Sequence, residues 1–488
     1  MGVGIDLTVV HYDGAVIFAE WQATIPPGFS YFLVTVFDLD SPFKIEQKTT
    51  STRFTFPAAL QADTAYQIYV EMYLDDEPGP TSQFEFVLTQ RPEIAAAAYQ
   101  VGSLHVSWPA LTQTGVAGYV ATLVSTSGIK SNHDTPQAEI TIDQQLDPAF
   151  TWQASVAAKT LSGRSTGPSG LARTLVLRPP TLIGVSYDLT ETLAAWAHLT
   201  QPGAAKFIAT LVSTGGARER YETIEDSIEI PGARDPAVTW SLTVAAESAD
   251  GVVVGPPSQT ATLILLAPVL NELDYDAATL SPSWTKVTDA SVTGYLVQVD
   301  SGSELDNFPV GDVDRAGLAV ALSADVTYTI WVMATHDVVA GPVSNALVPL
   351  TRPATHVRLD TNLAAQALIA DWRAAGGVGV TAYLLQLWRD GVVAETQTPA
   401  APPLTLRATL EAGPRYEVRL RPTGDRVKGP WSPRVPGPWL ANVLYSYDRL
   451  GRLSTVTWNQ TQTIAFTFDD AGNVTAATPT LQIFSELL

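Results

Sequence analysis

Five tryptophans stand in register along this chain. Trp21, Trp108, Trp196, Trp284 and Trp372 are separated by 87, 88, 88 and 88 residues, and each ends an alternating run: VIFAEW, LHVSW, LAAW, LSPSW and LIADW. A second series, Tyr31, Tyr119, Phe207, Tyr295 and Tyr383, keeps an 88-residue spacing and opens runs such as YVATLV and FIATLV. A third series comprises Tyr66, Trp152, Trp240, Tyr328 and Tyr416. A fourth consists of the Gly-Pro pairs that begin at Gly79, Gly167, Gly255, Gly341 and Gly429. A fixed period of this length means repeated structural units, each with its own small core. The fifteen aromatic positions are therefore expected inside.

Alternation with period two, many β-branched and aromatic residues and Gly/Pro punctuation predict strands rather than helices. Residues 363–371 have helical propensity, yet they align with the other Trp-terminated runs, so the register predicts a strand there as well. Six or seven short strands in about 88 residues suit a two-sheet antiparallel sandwich. The pattern resembles fibronectin type III domains, which carry a buried Trp on the second strand, an aromatic opening the third, and a Tyr on the penultimate strand ahead of a Gly/Ser-rich turn. Trp108, Tyr119, Trp152 and Gly167-Pro168-Ser169 match in order and spacing. Trp152 and Trp240 replace the family's Tyr, so the hydroxyl of the tyrosine corner is missing from repeats two and three, whereas Tyr328 and Tyr416 keep it.

The resemblance implies an all-β chain: a linear array of five Ig-like, fibronectin type III antiparallel β-sandwiches over residues 1–90, 91–177, 178–266, 267–351 and 352–440. The joints fall at Arg91-Pro92, Arg178-Pro179-Pro180, Ala267-Pro268 and Arg352-Pro353, with no Gly/Ser linker between strand and proline. Proline fixes φ and restricts the residue before it, so a stiff, extended rod is expected.

Beyond Trp439 the long period stops and a shorter one begins. Tyr445, Tyr447, Asp448 and Gly451 are echoed 21 residues later by Phe466, Phe468, Asp469 and Gly472. Alternate aromatics share one sheet face, Asp favours a turn start, and Gly supplies the positive φ that closes it. Residues 441–488 thus read as a small β-hairpin segment. It resembles a pair of YD repeats of the RHS family, whose signature is Tyr-x-Tyr-Asp-x-x-Gly followed by Arg or Asn. Two such repeats cannot enclose a cargo. Their uncovered apolar face must lie on repeat five, on another subunit or on further sequence.

Charge adds a constraint. The net charge of −21 makes nucleic acid an improbable partner. Repeat five alone is net basic, with Arg415, Arg419 and Arg421 on one side of a strand opposite Tyr416. These arginines read either as a solvated face beside an acidic neighbour or as a docking face for an acidic partner.

The 488 residues include no cysteine, which excludes disulfides, thiolate metal sites and a cysteine nucleophile. The six histidines have no metal-ligand spacing, and no hydrolase, nucleotide-binding or zinc-protease motif occurs. Asp306, Asp312 and Asp314, and the run Asp75-Asp76-Glu77, could be read as calcium clusters, but solvated turns explain both. No catalytic residue, cofactor or metal is expected. Nor does a signal peptide or membrane-spanning segment emerge, the longest apolar stretch being broken at Gly255-Pro256-Pro257.

Two functions remain open. One is a structural or interaction protein, a spacer or fibre subunit of a phage tail, injection particle or bacterial surface filament that assembles with itself or a larger particle through its tail. The other is an adhesion array gripping a glycan or host protein with sandwich loops and faces.

Overall fold

The computed structural model describes residues 4–62, 64–362, 367–376, 379–406, 414–437, 443–458 and 462–480. Every element among them is a β-strand. The chain forms two compact units, Met1–Leu263 and Ile264–Leu488.

The first sandwich shows how the repeat is built. One sheet holds the strands Ile5–Tyr12, Val16–Ala23 and Arg53–Pro57; the other holds Lys44–Thr49, Phe29–Asp38, Tyr66–Leu74 and Glu77–Thr81, with Glu85–Val87 beside Tyr66–Leu74. Alternate residues of both sheets turn inward. Leu7, Val10, Ile17, Ala19, Trp21, Phe32, Val34, Val36, Ile68, Val70 and Met72 close into one cluster with almost no exposed surface. The fifth sandwich repeats the plan around Leu368, Ala370, Trp372, Tyr383, Leu385, Val418 and Leu420. Of the segment 363–371, residues from Ala367 onward lie in the strand Ala367–Arg373, as the register predicts; Leu363 to Gln366 lie outside the described residues.

All five register tryptophans are buried, each against an aromatic ring of the facing sheet. The centroid distances are 5.3 Å for Trp108–Tyr119, 5.1 Å for Trp196–Phe207, 5.4 Å for Trp284–Tyr295 and 5.2 Å for Trp372–Tyr383. In the first sandwich the partner is Phe32 at 5.3 Å, not Tyr31. Tyr31 is a correction to the expected core: it points to the outer face, half-buried, and stacks on Tyr73. The invariant is a spacing of eleven residues from each Trp, and in the first repeat both Trp21 and its partner Phe32 stand one residue later than the 88-residue spacing places them. A one-residue slip on a strand exchanges core for surface.

The third series is buried at Tyr66, Trp152, Trp240 and Tyr416, whereas Tyr328 is only half-buried, a second correction. The hydroxyls of Tyr66 and Tyr328 accept the N–H groups of Gln61 and Ser323, five residues upstream. In repeat two the Trp152 indole N–H donates to the Asp147 carbonyl, also five residues upstream. The corner is thus kept with its polarity reversed. In repeat three the Trp240 indole instead lies under the Arg234 guanidinium, 5.0 Å from the ring centre.

The joints are part of the sheets. In the first unit, Ile5–Tyr12 of sandwich one pairs in parallel with Ser165–Thr166 of sandwich two, and Ala96–Gln100 of sandwich two pairs in parallel with Val253–Pro257 of sandwich three. In the second unit, Val269–Tyr275 of sandwich four pairs in the same way with Val427–Lys428 of sandwich five. The contact repeats atom for atom: the N–H of Val10 donates to the Arg164 carbonyl (2.8 Å), that of Ala97 to Val252 (2.8 Å) and that of Leu273 to Arg426 (2.9 Å). At these three joints one sheet of a sandwich therefore continues into the opposite sheet of the next.

This joint explains the Gly-Pro series. A Cβ on Gly255 would meet Val176 Cγ1 at 2.5 Å, on Gly341 Ile264 Cγ2 at 2.6 Å, on Gly429 Leu350 Cβ at 2.9 Å and on Gly167 Leu88 Cβ at 3.1 Å. In each case the glycine admits close approach to the segment that follows the last strand of the preceding sandwich. Gln113 secures the first joint. Its side-chain oxygen accepts the N–H groups of Thr89 and Gln90, and its amide nitrogen donates to Thr64 and Val87 carbonyls. Gln201, 88 residues on, accepts the N–H of Arg178.

Val443–Tyr447, Leu453–Trp458, Gln462–Phe468 and Val474–Thr480 form a separate four-stranded antiparallel meander.

Candidate interaction surfaces

Arg419 and Arg421 sit as parity predicts, on the outer face of the strand Tyr416–Gly424, and are already engaged, whereas Arg415 precedes that strand and is exposed. Arg419 donates to Gln386 Oε1 through Nε (2.9 Å) and Nη2 (2.8 Å) and lies between two indoles, 5.1 Å from the Trp388 ring centre and 4.2 Å from that of Trp431. Arg434 covers the far side of Trp388 at 3.5 Å, and Arg421 covers Trp431 at 4.8 Å. The result is a stack of alternating guanidinium and indole planes. Burial, then the neighbouring Arg434 and Arg421 charges, push the Arg419 guanidinium below its ordinary value.

Arg421, nearly buried, donates to Asp274 Oδ1 of sandwich four at 2.8 Å. Lys428 pairs with Glu272, and Arg426 donates to the Leu270 carbonyl (3.4 Å). The acidic neighbour that repeat five faces is thus repeat four of the same chain. Arg415 is held through its backbone N–H, which donates to Asp390 Oδ1 at 2.8 Å.

The two turns of the tail are superimposable in their bonding. Asp448 N–H donates to the Arg452 carbonyl and Gly451 N–H to the Asp448 carbonyl; Asp469 N–H donates to Asn473 and Gly472 N–H to Asp469. Gly451 and Gly472 take φ of 76° and 89°, the left-handed region expected of them. The Asp448 carboxylate accepts the Arg452 backbone N–H and guanidinium, and Asp469 accepts the Asn473 backbone and side-chain amides. The Arg452 backbone bond first lowers the Asp448 carboxyl from its ordinary value, and the Asn473 side-chain bond first lowers that of Asp469. Arg452 also covers the Phe468 ring at 4.4 Å. Tyr447 is exposed, Phe466 and Phe468 are half-exposed, and Tyr445 pairs across the ladder with Val456. The terminal segment 481–488 lies outside the described residues.

Asp312 of the Asp306, Asp312, Asp314 group pairs with Lys286 at 2.7 Å. Asp75 and Asp76 occupy a positive-φ turn whose Asp75 N–H donates to Gly28. Among the described residues no three acidic or histidine side chains are grouped to hold a metal ion.

Sequence reasoning missed an aromatic cluster on the outer face of sandwich one. Phe37, Tyr69 and Phe84 pack on one another with centroids 5.0–6.0 Å apart, beside a hollow of about 390 Å³ that Phe43, Pro42, Thr35, Asp38, Ser41 and Lys44 also line. These rings fall outside the repeating series. Their signal was their parity: Phe37 and Tyr69 alternate with the buried Val36 and Val70.

No family model and no curated protein matches this chain. Among solved structures it is similar to the FN1–FN3 domains of chicken CNTN1, at 16% identity over 54% of this chain and 97% of that one, with a TM-score of 0.23. The all-β array of type III-like sandwiches rests on the strand order and registers of the chain itself.

Proposed function

We propose that this chain is a non-enzymatic structural protein, a stiff multi-domain spacer or fibre subunit of a phage tail, injection particle or bacterial surface filament, which assembles through its C-terminal sheet. The observation that carries this reading is the joint. Adjacent sandwiches share parallel backbone hydrogen bonds at a repeating register, and a glycine admits the contact each time. Such a joint transmits force and orientation, which suits a spacer better than a flexibly tethered receptor.

The tail supplies the handle. Its paired Asp-Gly turns support membership of the YD type, and its meander has outer strands with no further strand partner among the described residues and half-exposed aromatics suited to pairing with a partner's strands. Deleting residues 441–488 tests the proposal. Negative-stain microscopy of the full chain should show assemblies that the deletion variant lacks, while both melt alike. Full-length protein that stays monomeric, or a deletion variant that still assembles, contradicts it.

A further inference from the structure

The outer face of sandwich one differs from those of its copies at a specific ladder pair. Thr35 lies opposite Tyr69, as Thr122 lies opposite Ser155 and Thr210 opposite Thr243. In sandwich two the Thr122 hydroxyl donates to Asn132. In sandwiches four and five the corresponding pairs bond across the ladder, Trp331 to Gln298 and Arg419 to Gln386. Thr35 breaks the pattern: it is wholly buried and its hydroxyl has no hydrogen-bond partner among the described residues. A buried polar group left unpaired needs an explanation.

Thr35 is among the residues around the hollow of about 390 Å³, a volume within the range of small-ligand sites. The walls are the faces and edges of Phe37, Phe43, Tyr69 and Phe84, and Phe84 is 56% exposed. The indoles of sandwich five have guanidinium partners, whereas among the described residues Phe37, Tyr69 and Phe84 pack on one another and Phe43 packs on Tyr66. At the rim, Asp38 accepts the Ser41 hydroxyl and the Asp40 N–H, which leaves acceptor sites on its carboxylate, and Lys44 pairs with Glu46. The aromatic face does not end at the hollow. Tyr31 and Tyr73 stack at 4.7 Å under the Lys48 ammonium, six residues or about 20 Å along the same strand from Phe37. Glu71 and Glu46 lie between them, and Gln67 lies opposite Phe37.

We propose that this face of sandwich one binds a glycan, one pyranose ring seated in the hollow against Phe37, Tyr69 and Phe84 and the chain running toward Tyr31 and Tyr73. A sugar has apolar C–H faces for the rings and hydroxyls all round its edge for Thr35, Asp38 and Lys44. An apolar protein side chain would satisfy the rings and leave the Thr35 hydroxyl unpaired. The proposal is independent of the assembly reading above.

The test uses the full chain on a printed array of bacterial and animal glycans, followed by calorimetry with the soluble form of any glycan retained. Binding is expected, with an at least ten-fold loss in Phe84→Ala and in Tyr69→Ser, which installs the residue of sandwich two. Thr35→Val should weaken binding about five-fold while leaving the melting temperature unchanged or higher, because the hydroxyl has no partner in the free protein. No retained glycan, binding undiminished by Tyr69→Ser, or a Thr35→Val variant that binds normally would overturn the proposal. So would a protein ligand that Phe84→Ala abolishes while no glycan binds.

Discussion

Gly255 sits where two sandwiches meet, and the space it leaves is filled by Val176. A methyl group there would stand 2.5 Å from Val176 Cγ1 and 3.2 Å from the Val176 carbonyl, so strand and side chain would both have to shift. Gly255→Ala should cost about 1–3 kcal/mol, the usual penalty for overpacking, read as a lower melting temperature. Gly184, in the strand Leu182–Tyr187, has open space where its Cβ would be, so Gly184→Ala should be neutral or slightly stabilising in the same assay. Equal effects at the two sites would show that the loss comes from the backbone and not from the joint. The Gly-Pro series was legible as a period, but its purpose was not. The atoms that exclude a side chain at Gly255 belong to a residue 79 positions away in another repeat. The same limit explains Tyr31: spacing to the next repeat pointed to it, while spacing to its own Trp21 points to Phe32.

Strands and turns were far more legible than joints. Alternation around Trp108 or Trp196 fixes which residues face inward, and Asp448 to Gly451 and Asp469 to Gly472 carry their turn chemistry locally. The joint strands Ser165–Thr166 and Val427–Lys428 are two residues long and carry no pattern of their own. Their partners lie about 155 residues away, so nothing local announces them. The aromatic cluster of sandwich one was obscured for another reason: Phe37 and Tyr69 follow the strand alternation but not the long period that organised the reading.

The tail turns also make a pH prediction. Hydrogen bonds to the ionised Asp448 and Asp469 lower both carboxyls from their ordinary values in the folded meander. Their stabilisation is therefore complete above the unfolded value, about pH 4, and fades as the pH falls through the lower folded values. The protection factors of the Arg452 and Asn473 amides, taken against the intrinsic exchange rate at each pH, should fall below that pH, and Asp448→Asn with Asp469→Asn should flatten the response. Protection factors that do not change with pH in the parent chain would refute the link.

Across the molecule, the proline-rich joints suggested that stiffness comes from restricted φ. Within each compact unit the structure shows adjacent sandwiches joined by shared sheets, reinforced by Gln113 at the first joint and by Arg421 and Lys428 at the fourth. Sandwich one supplies a natural control. Thr166, whose parallel register directs its N–H to the Val10 carbonyl, corresponds to Pro78, which has no N–H to give. Both residues pair inside their own sandwich at the same ladder position, Thr166 with Lys159 and Pro78 with Tyr73, without using that N–H. A proline at position 166 is therefore compatible with the sandwich and incompatible with the joint. Thr166→Pro should leave the fold of sandwich two intact and weaken its coupling to sandwich one by about 1–3 kcal/mol, the cost of a buried carbonyl left unpaired. Hydrogen exchange reads this directly. The Val10 amide, now bonded to Arg164, should lose about ten-fold or more of its protection, while amides of the strand Gly118–Ser125 keep theirs. Unchanged protection at Val10 would place the coupling in the side-chain clasps rather than in the backbone ladder. Loss of protection throughout Gly118–Ser125 would show that the joint is needed for sandwich two to fold at all.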